Sequence, residues 1–188
     1  MGRWKGVEQG ISMDEARVRA LLEQHHVAGY GWALSCCSRD PGRAEDVLQT
    51  VYLKVLQGKA RYSGRASFRT WLFSVIRKTA AEERRRSLFR RLKLLEYRHQ
   101  SRQTHTQDPS TQGADPSEML AVFQEALTAL PKRQREVLHL VFYQDLAVQE
   151  AAQVMGVSLG SARTHYERGK RRLRELLEES ERFHESRS

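Results

Sequence analysis

Cysteine is nearly absent from this chain: 188 residues contain two, the neighbours Cys36 and Cys37. A mutual disulfide between adjacent residues is geometrically awkward, and no CxxC or Cys/His spacing accompanies the pair. A disulfide framework and a zinc module are therefore excluded. His25 and His26 are also adjacent and diverge around a helix, so they do not chelate from one face. No apolar run approaches the roughly 20 residues of a membrane helix. The opening MGRWKGVEQG lacks an apolar signal segment, and Gly6 stands where a myristoylation signal needs Ser or Thr. A cytoplasmic protein without membrane insertion is expected. There is no phosphate-binding glycine loop, no nucleophile with a base in register and no metal-ligand spacing, so neither enzyme activity nor a cofactor is expected. Acidic charge is also short. Lys and Arg number 32 against 23 Asp and Glu, a formal +9 that favours a polyanionic partner.

What is present reads as helix throughout. Residues 1–11 look like a loose extension. Ser12 with Glu15 forms a capping box, and Val18, Leu21, Leu22, Val27, Trp32 and Leu34 predict one long helix or two as far as Cys37. Arg39-Asp40-Pro41-Gly42 is turn chemistry. A helix over 43–57 then places Val47, Leu48, Val51, Tyr52, Val55 and Leu56 inward, and Glu45, Asp46, Gln49, Leu53 and Lys54 outward. Leucine is out of place on that outer face, which makes Leu53 a candidate anchor for a partner helix.

After the loop GKARYSGRA, Ser67 caps a third helix through Phe68, Trp71, Leu72, Val75 and Ile76. It runs into a basic segment. Arg77 to Arg102 holds ten basic residues against three acidic ones, a net +7 that concentrates most of the chain's excess. Tyr62, Phe68 and Trp71 stand just upstream, and aromatic rings beside a basic surface suit single-stranded nucleic acid, at about 1–3 kcal/mol per stacked base. The spacing of Phe68 and Trp71 also matches the apolar stripe, so at least one of them belongs to the core. Ser87 sits between Arg86 and Arg90-Arg91, either as a solvated serine or as a phosphorylation site.

From 99 to 113 apolar residues vanish and Gln, Ser, Thr and Pro dominate, which reads as a flexible linker. Asp115, Pro116 and Glu118 open the next helix, and Pro131 begins another through Val137, Leu138, Val141 and Phe142. Gln149 to Leu177 then reads as two helices about a turn at Gly156, with Ser158 as N-cap of the second. Ala162, Tyr166, Gly169 and Leu173 face inward; Ser161, Thr164, His165, Arg168 and Arg172 face out, flanked by Arg163, Lys170 and Arg171. With Ala152 four positions before Gly156, this is a helix-turn-helix pattern whose second helix enters the major groove. The fold class is thus all-α: two small helical domains on a tether. The boundaries expected are an extension at 1–11, a first domain over 12–95, a linker over 96–114, a second domain over 115–180 and a tail at 181–188.

In this order the segments resemble the bacterial sigma factors of the extracytoplasmic-function group. Ala44-Glu45-Asp46-Val47-Leu48-Gln49 is similar to that family's polymerase-docking helix. Tyr62-Ser63-Gly64 with Phe68 and Trp71-Leu72 is similar to the segment framing the flipped base of the −10 element. Leu130-Pro131 with Arg133-Gln134-Arg135-Glu136-Val137-Leu138, and Gly156 to Arg163, resemble the two helices around its −35 reader. The chain departs at Thr50, Lys78, Glu82 and His165, so no promoter consensus is carried over. The resemblance implies a transcription initiation factor that binds core RNA polymerase through the β′ clamp helices and β, and recognises and opens promoter DNA. It also implies a possible anti-sigma protein as partner. Implied sites are Asp46, Gln49 and Leu53 for polymerase. For single-stranded −10 DNA they are Tyr62, Gly64, Arg65, Phe68, Trp71, Lys78 and Arg85, and for the −35 duplex Ser158, Ser161, Arg163, Thr164, His165, Arg168, Arg171 and Arg172. Two other readings stand beside it: a stand-alone helix-turn-helix repressor or activator, and an adaptor for acidic proteins.

Overall fold

The computed structural model describes residues 14–98 and 118–185, and all of its regular structure is helical. The chain divides into two units, Met1–Gln112 and Gly113–Ser188. None of the helices in the described residues is long and apolar enough to cross a membrane.

In the first unit, α1 (Glu15–Gln24) starts at Asp14, whose carboxylate accepts the Ala16 N–H at 3.3 Å. The expected cap Ser12 lies outside the described residues, and Glu15 pairs with Arg19 at 2.8 Å. The stretch to Cys37 is two helices. His25, at φ −101° and ψ 10°, leaves the helical region and α2 (His26–Cys36) begins after it. This break resets the helical phase, so Val27, expected on the apolar stripe, is 83% exposed. Trp32 is fully buried and its indole N–H donates to the Phe73 carbonyl at 3.0 Å, so the one polar atom of the largest core side chain is satisfied.

Asp40 caps α3 (Pro41–Leu56) by accepting the Arg43 N–H at 3.0 Å, and Pro41 enters at the first turn, where its missing N–H costs nothing. The helix therefore starts two residues before the expected position. Ala44, Val47, Leu48, Val51 and Val55 are buried. Lys54, expected to face outward, is half-buried. Its Nζ donates to Glu82 at 2.7 Å and to Thr79 at 3.1 Å, tying α3 to α4. Ser67 accepts the Thr70 N–H at 3.1 Å to start α4 (Phe68–Arg98), which buries Phe68, Leu72, Phe73, Ile76 and Ala80. Each such large apolar side chain contributes roughly 1.5–3 kcal/mol. Beyond Ala80 no residue as far as Arg90 is buried, although the helix itself continues past position 95, where the linker was expected to begin.

The second unit comprises α5 (Glu118–Ala129), α6 (Lys132–Leu138), α7 (Val148–Met155) and α8 (Leu159–Glu185). The capping residues expected at Asp115 and Pro116, and the linker over 99–113, lie outside the described residues. Ala126, Leu130, Leu138 and Leu173 form a core that Phe123, Leu127, Tyr166, Leu176 and Leu177 surround. Two arginines of α6 close other helices by donating to their last carbonyls: Arg135 to Thr128 at 2.7 Å and Arg133 to Met155 at 3.2 Å. A π-helical turn, His139–Tyr143, follows α6. Its wider winding breaks the 3.6-residue period, so Leu140 is fully buried while Phe142, expected in the apolar stripe, is 54% exposed. α8 runs to Glu185, beyond the expected end of the domain at 180.

Candidate nucleic-acid interface

Two surfaces, one in each unit, collect the residues singled out from the sequence. In the second unit, α7 ends at Gly156 with φ 64° and ψ 42°, a left-handed conformation that glycine adopts without steric penalty. The turn is short because Ser158 caps α8 at once: its Oγ accepts the Ser161 N–H at 3.1 Å and donates to the Ser161 hydroxyl at 2.9 Å. At the other end of α7, Glu150 accepts the Ala147 N–H at 3.1 Å, one half of a capping box. Close approach of α8 to α6 is permitted by Gly169, where an added Cβ meets Leu138 at 3.2 Å.

With Ala162 at 0% and Leu173 at 8% exposure, the inward face of α8 is fixed, and so is the outward one. Ser161, Arg163, Thr164, Arg168, Arg171 and Arg172 are exposed and His165 is half-buried. They are not equivalent. Arg172 pairs with Glu175 at 3.1 Å and Arg171 approaches the same carboxylate at 3.9 Å. Lys170 is drawn over the Tyr166 ring at 4.8 Å and to Glu167 at 3.3 Å. Arg163 and Arg168 make no ion pair among the described residues, and Thr164 donates its hydroxyl to the Gly160 carbonyl at 3.0 Å. Of the residues expected to meet DNA, the guanidiniums left open to a polyanion are thus those of Arg163 and Arg168, toward the N-terminal half of α8.

In the first unit the loop before α4 turns at Gly64, with φ 73°, and brings three rings together. Tyr62 and Phe68 lie edge to face with centroids 5.5 Å apart, while Tyr62 and Trp71 at 5.4 Å and Phe68 and Trp71 at 5.2 Å are tilted. The Tyr62 hydroxyl donates to the Ala66 carbonyl, fastening the loop on itself. Phe68 is only 8% exposed and is the core member of the trio; Tyr62 and Trp71 are half-buried, and Arg65 is exposed. Lys78 and Arg85, both exposed, follow Trp71 at intervals of seven, so the three share one side of α4 about 10 Å apart. An aromatic platform continuing into a cationic track is the arrangement single-stranded nucleic acid takes.

His25 is a member the sequence did not single out. Its ring stacks on Phe68 with centroids 6.0 Å apart and planes at 21°. Burial lowers its pKa, and the nearby Arg69 charge lowers it further, so the ring is held neutral. No spacing signal points to it, because the contact joins the α1–α2 break to the start of α4. On a separate face of the same unit, Asp46, Gln49 and Leu53 line α3, and Leu53 is 52% exposed.

Comparison with known proteins finds one family match in each unit. Residues 21–89 match the family Sigma-70 region 2, and residues 120–173 match Sigma-70, region 4. The chain is 33% identical over 171 residues to the ECF RNA polymerase sigma factor SigX of Bacillus subtilis, covering 87% of this chain and 85% of that one. It is 27% identical over 179 residues to the ECF RNA polymerase sigma factor SigL of Mycobacterium tuberculosis, covering 92% and 96%. Two solved structures share the fold. The sigma factor RpoE in complex with the anti-sigma factor NepR, from Bartonella quintana, has a TM-score of 0.63 at 22% identity, covering 86% of this chain and 97% of that one. CnrH in complex with the cytosolic domain of CnrY has a TM-score of 0.61 at 23% identity, covering 89% and 91%.

Proposed function

Because the chain belongs to the sigma-70 family, as an RNA polymerase sigma factor of the ECF group that recognises promoters, we propose a division of labour between its two surfaces. The α8 face reads the −35 duplex, with Ser161, Arg163, Thr164, His165 and Arg168 toward the bases, and Arg171 and Arg172 toward phosphates once Glu175 releases them. Ser158 contributes by fixing the helix start. The first unit takes the melted −10 strand on Tyr62, Trp71 and Phe68, with Gly64 and Arg65 shaping the loop and Lys78 and Arg85 tracking the backbone. Asp46, Gln49 and Leu53 dock on the polymerase clamp. The domains expected are the segments 12–95 and 115–180, with the residues between them as the tether.

The observation that supports this most is the ring cluster continuing into the Trp71–Lys78–Arg85 side of α4. A duplex-only reader has no use for clustered, part-exposed aromatic rings beside a basic track. The mechanism follows from tethering: with one unit on duplex and the other on polymerase, capture of unpaired bases becomes effectively intramolecular. The protein supplies binding energy and no chemistry, and bond formation belongs to the polymerase. The chain works in the cytoplasm with core polymerase and promoter DNA. An anti-sigma protein is the regulator class that its structural neighbours suggest.

The test is polymerase loaded with Trp71→Ala or Arg168→Ala protein, on duplex promoter and on the same promoter with a pre-melted −10 bubble. Trp71→Ala is expected to bind duplex −35 DNA normally and to fail in opening, with the bubble restoring part of the loss. Arg168→Ala is expected to lose the −35 contact on both templates. Identical defects in the two variants, with normal helical content by circular dichroism, contradict the division.

A further inference from the structure

Apart from both DNA surfaces and opening beside the proposed docking face, the first unit has a cleft of about 300 Å³ between the end of α2, the start of α3 and the middle of α4. Arg43 of α3 and Arg84 of α4 line it, and neither makes an ion pair among the described residues. Glu83, also at the cleft, is engaged by Arg86 at 3.0 Å and Arg90 at 3.9 Å. Asp46 is the remaining carboxylate, and it offsets one of the two open guanidiniums. Both arginines act on a common point. Burial raises the pKa of the Cys37 thiol, and the charges of Arg43 and Arg84 each pull it back down, against Asp40.

Two further features set the cleft apart. Its rim includes Ser38, which with Arg39 forms two successive non-glycine residues at positive φ, 57° and 63°. Such conformations persist where the surroundings hold them and recur at ligand clamps. Ser87 is not a solvated serine: it is half-buried and lines the cleft, directly after Arg84-Arg85-Arg86. Around it α4 is lightly held, with Leu88 at 52% and Phe89 at 67% exposure, so local opening of this segment costs little.

We propose that this cleft is a phosphate site in which Arg43 and Arg84 clamp a phosphate group between α3 and α4, supplied as the ester of Ser87 or by a small phosphorylated ligand. In the ester case a kinase transfers the γ-phosphoryl group of a nucleoside triphosphate to the Ser87 oxygen; the hydroxyl proton leaves and a nucleoside diphosphate departs. A dianion facing guanidiniums from two helices forms charge-assisted hydrogen bonds to both. It also places negative charge next to Asp46, so occupancy tunes polymerase docking; that consequence, and not the binding itself, rests on the docking face proposed above.

The experiment is isothermal titration of the full-length protein with inorganic phosphate, then pyrophosphate, at constant ionic strength. Saturable one-to-one binding is expected for the wild type and for Arg17→Gln, an exposed residue of α1 outside the cleft and outside both DNA surfaces, with affinity lowered tenfold or more in Arg43→Gln and in Arg84→Gln. Circular dichroism matching the wild type keeps those variants interpretable. A second arm uses protein carrying phosphoserine at position 87. A raised unfolding temperature together with loss of phosphate binding assigns the ester as the source, whereas a lowered temperature with binding intact in the unmodified protein assigns the free ligand. Non-saturable binding, or equal binding in all four proteins, overturns the proposal whatever the phosphoserine does. Polymerase binding lost on Leu53→Asp reads the docking face separately, so the two failures are distinguishable.

Discussion

Single residues divide into those fixed by local chemistry and those fixed by packing. Gly156 and Ser158 belong to the first kind: a positive φ needs glycine and an orphan N–H needs a hydroxyl, and both demands are legible from a few neighbouring positions. Since an added Cβ at Gly156 meets nothing within 4 Å, the cost of Gly156→Ala is backbone strain alone, about 1 kcal/mol. Chemical denaturation is expected to show that loss, with Gly156→Asn recovering part of it because asparagine tolerates the left-handed region. His25 belongs to the second kind, its role set by Phe68 far along the chain. Its folded pKa lies below the usual 6.5 through burial first and Arg69 second. The unfolded chain therefore takes up the proton more readily, and stability is lost as pH falls from 6.5 through the folded pKa. Unfolding profiles of His25→Phe are expected to lack that decline while keeping the stacked ring; an unchanged profile contradicts the assignment.

At the scale of elements, periodicity served well where a helix is regular and failed where it is interrupted. The inward positions Ala162, Gly169 and Leu173 of α8 and the outward Leu53 of α3 follow a 3.6-residue repeat. Val27 and Phe142 do not, because a break at His25 and a π-helical turn at 139–143 shift the phase in ways no local residue announces. Lys54 was misplaced for a related reason. A lysine at the edge of a face reaches either solvent or a neighbour, and here Glu82 and Thr79 captured it. The carboxyl of Glu82 is held below its usual range, through the hydrogen bond from Lys54 above all. Its contribution to stability is therefore present above the ordinary carboxylate pKa and is lost as pH falls through the lowered one, a slope that Glu82→Gln is expected to remove from acid-unfolding curves. On α3, Leu53→Asp is expected to abolish polymerase binding with helical content unchanged, since the side chain is half exposed and packs no core.

For the whole molecule, the order of segments was more informative than any one of them. Two helical units, one with an aromatic and basic face and one with a helix-turn-helix, were legible from composition and spacing. The cleft between α2, α3 and α4 was not, because Cys36, Arg43 and Ser87 come together only when three helices pack. The +9 charge acts at this scale through phosphate neutralisation, so promoter affinity is expected to fall with salt on a log–log slope of roughly −0.9 per phosphate contacted. A flat response contradicts the electrostatic account. The central claim is that both units serve one polymerase-bound factor, and it is tested most directly by binding to sigma-free core RNA polymerase in competition with a housekeeping sigma factor. Mutually exclusive binding, lost on Leu53→Asp, is the predicted result; a folded protein that binds promoter duplex and leaves core polymerase to its competitor contradicts it.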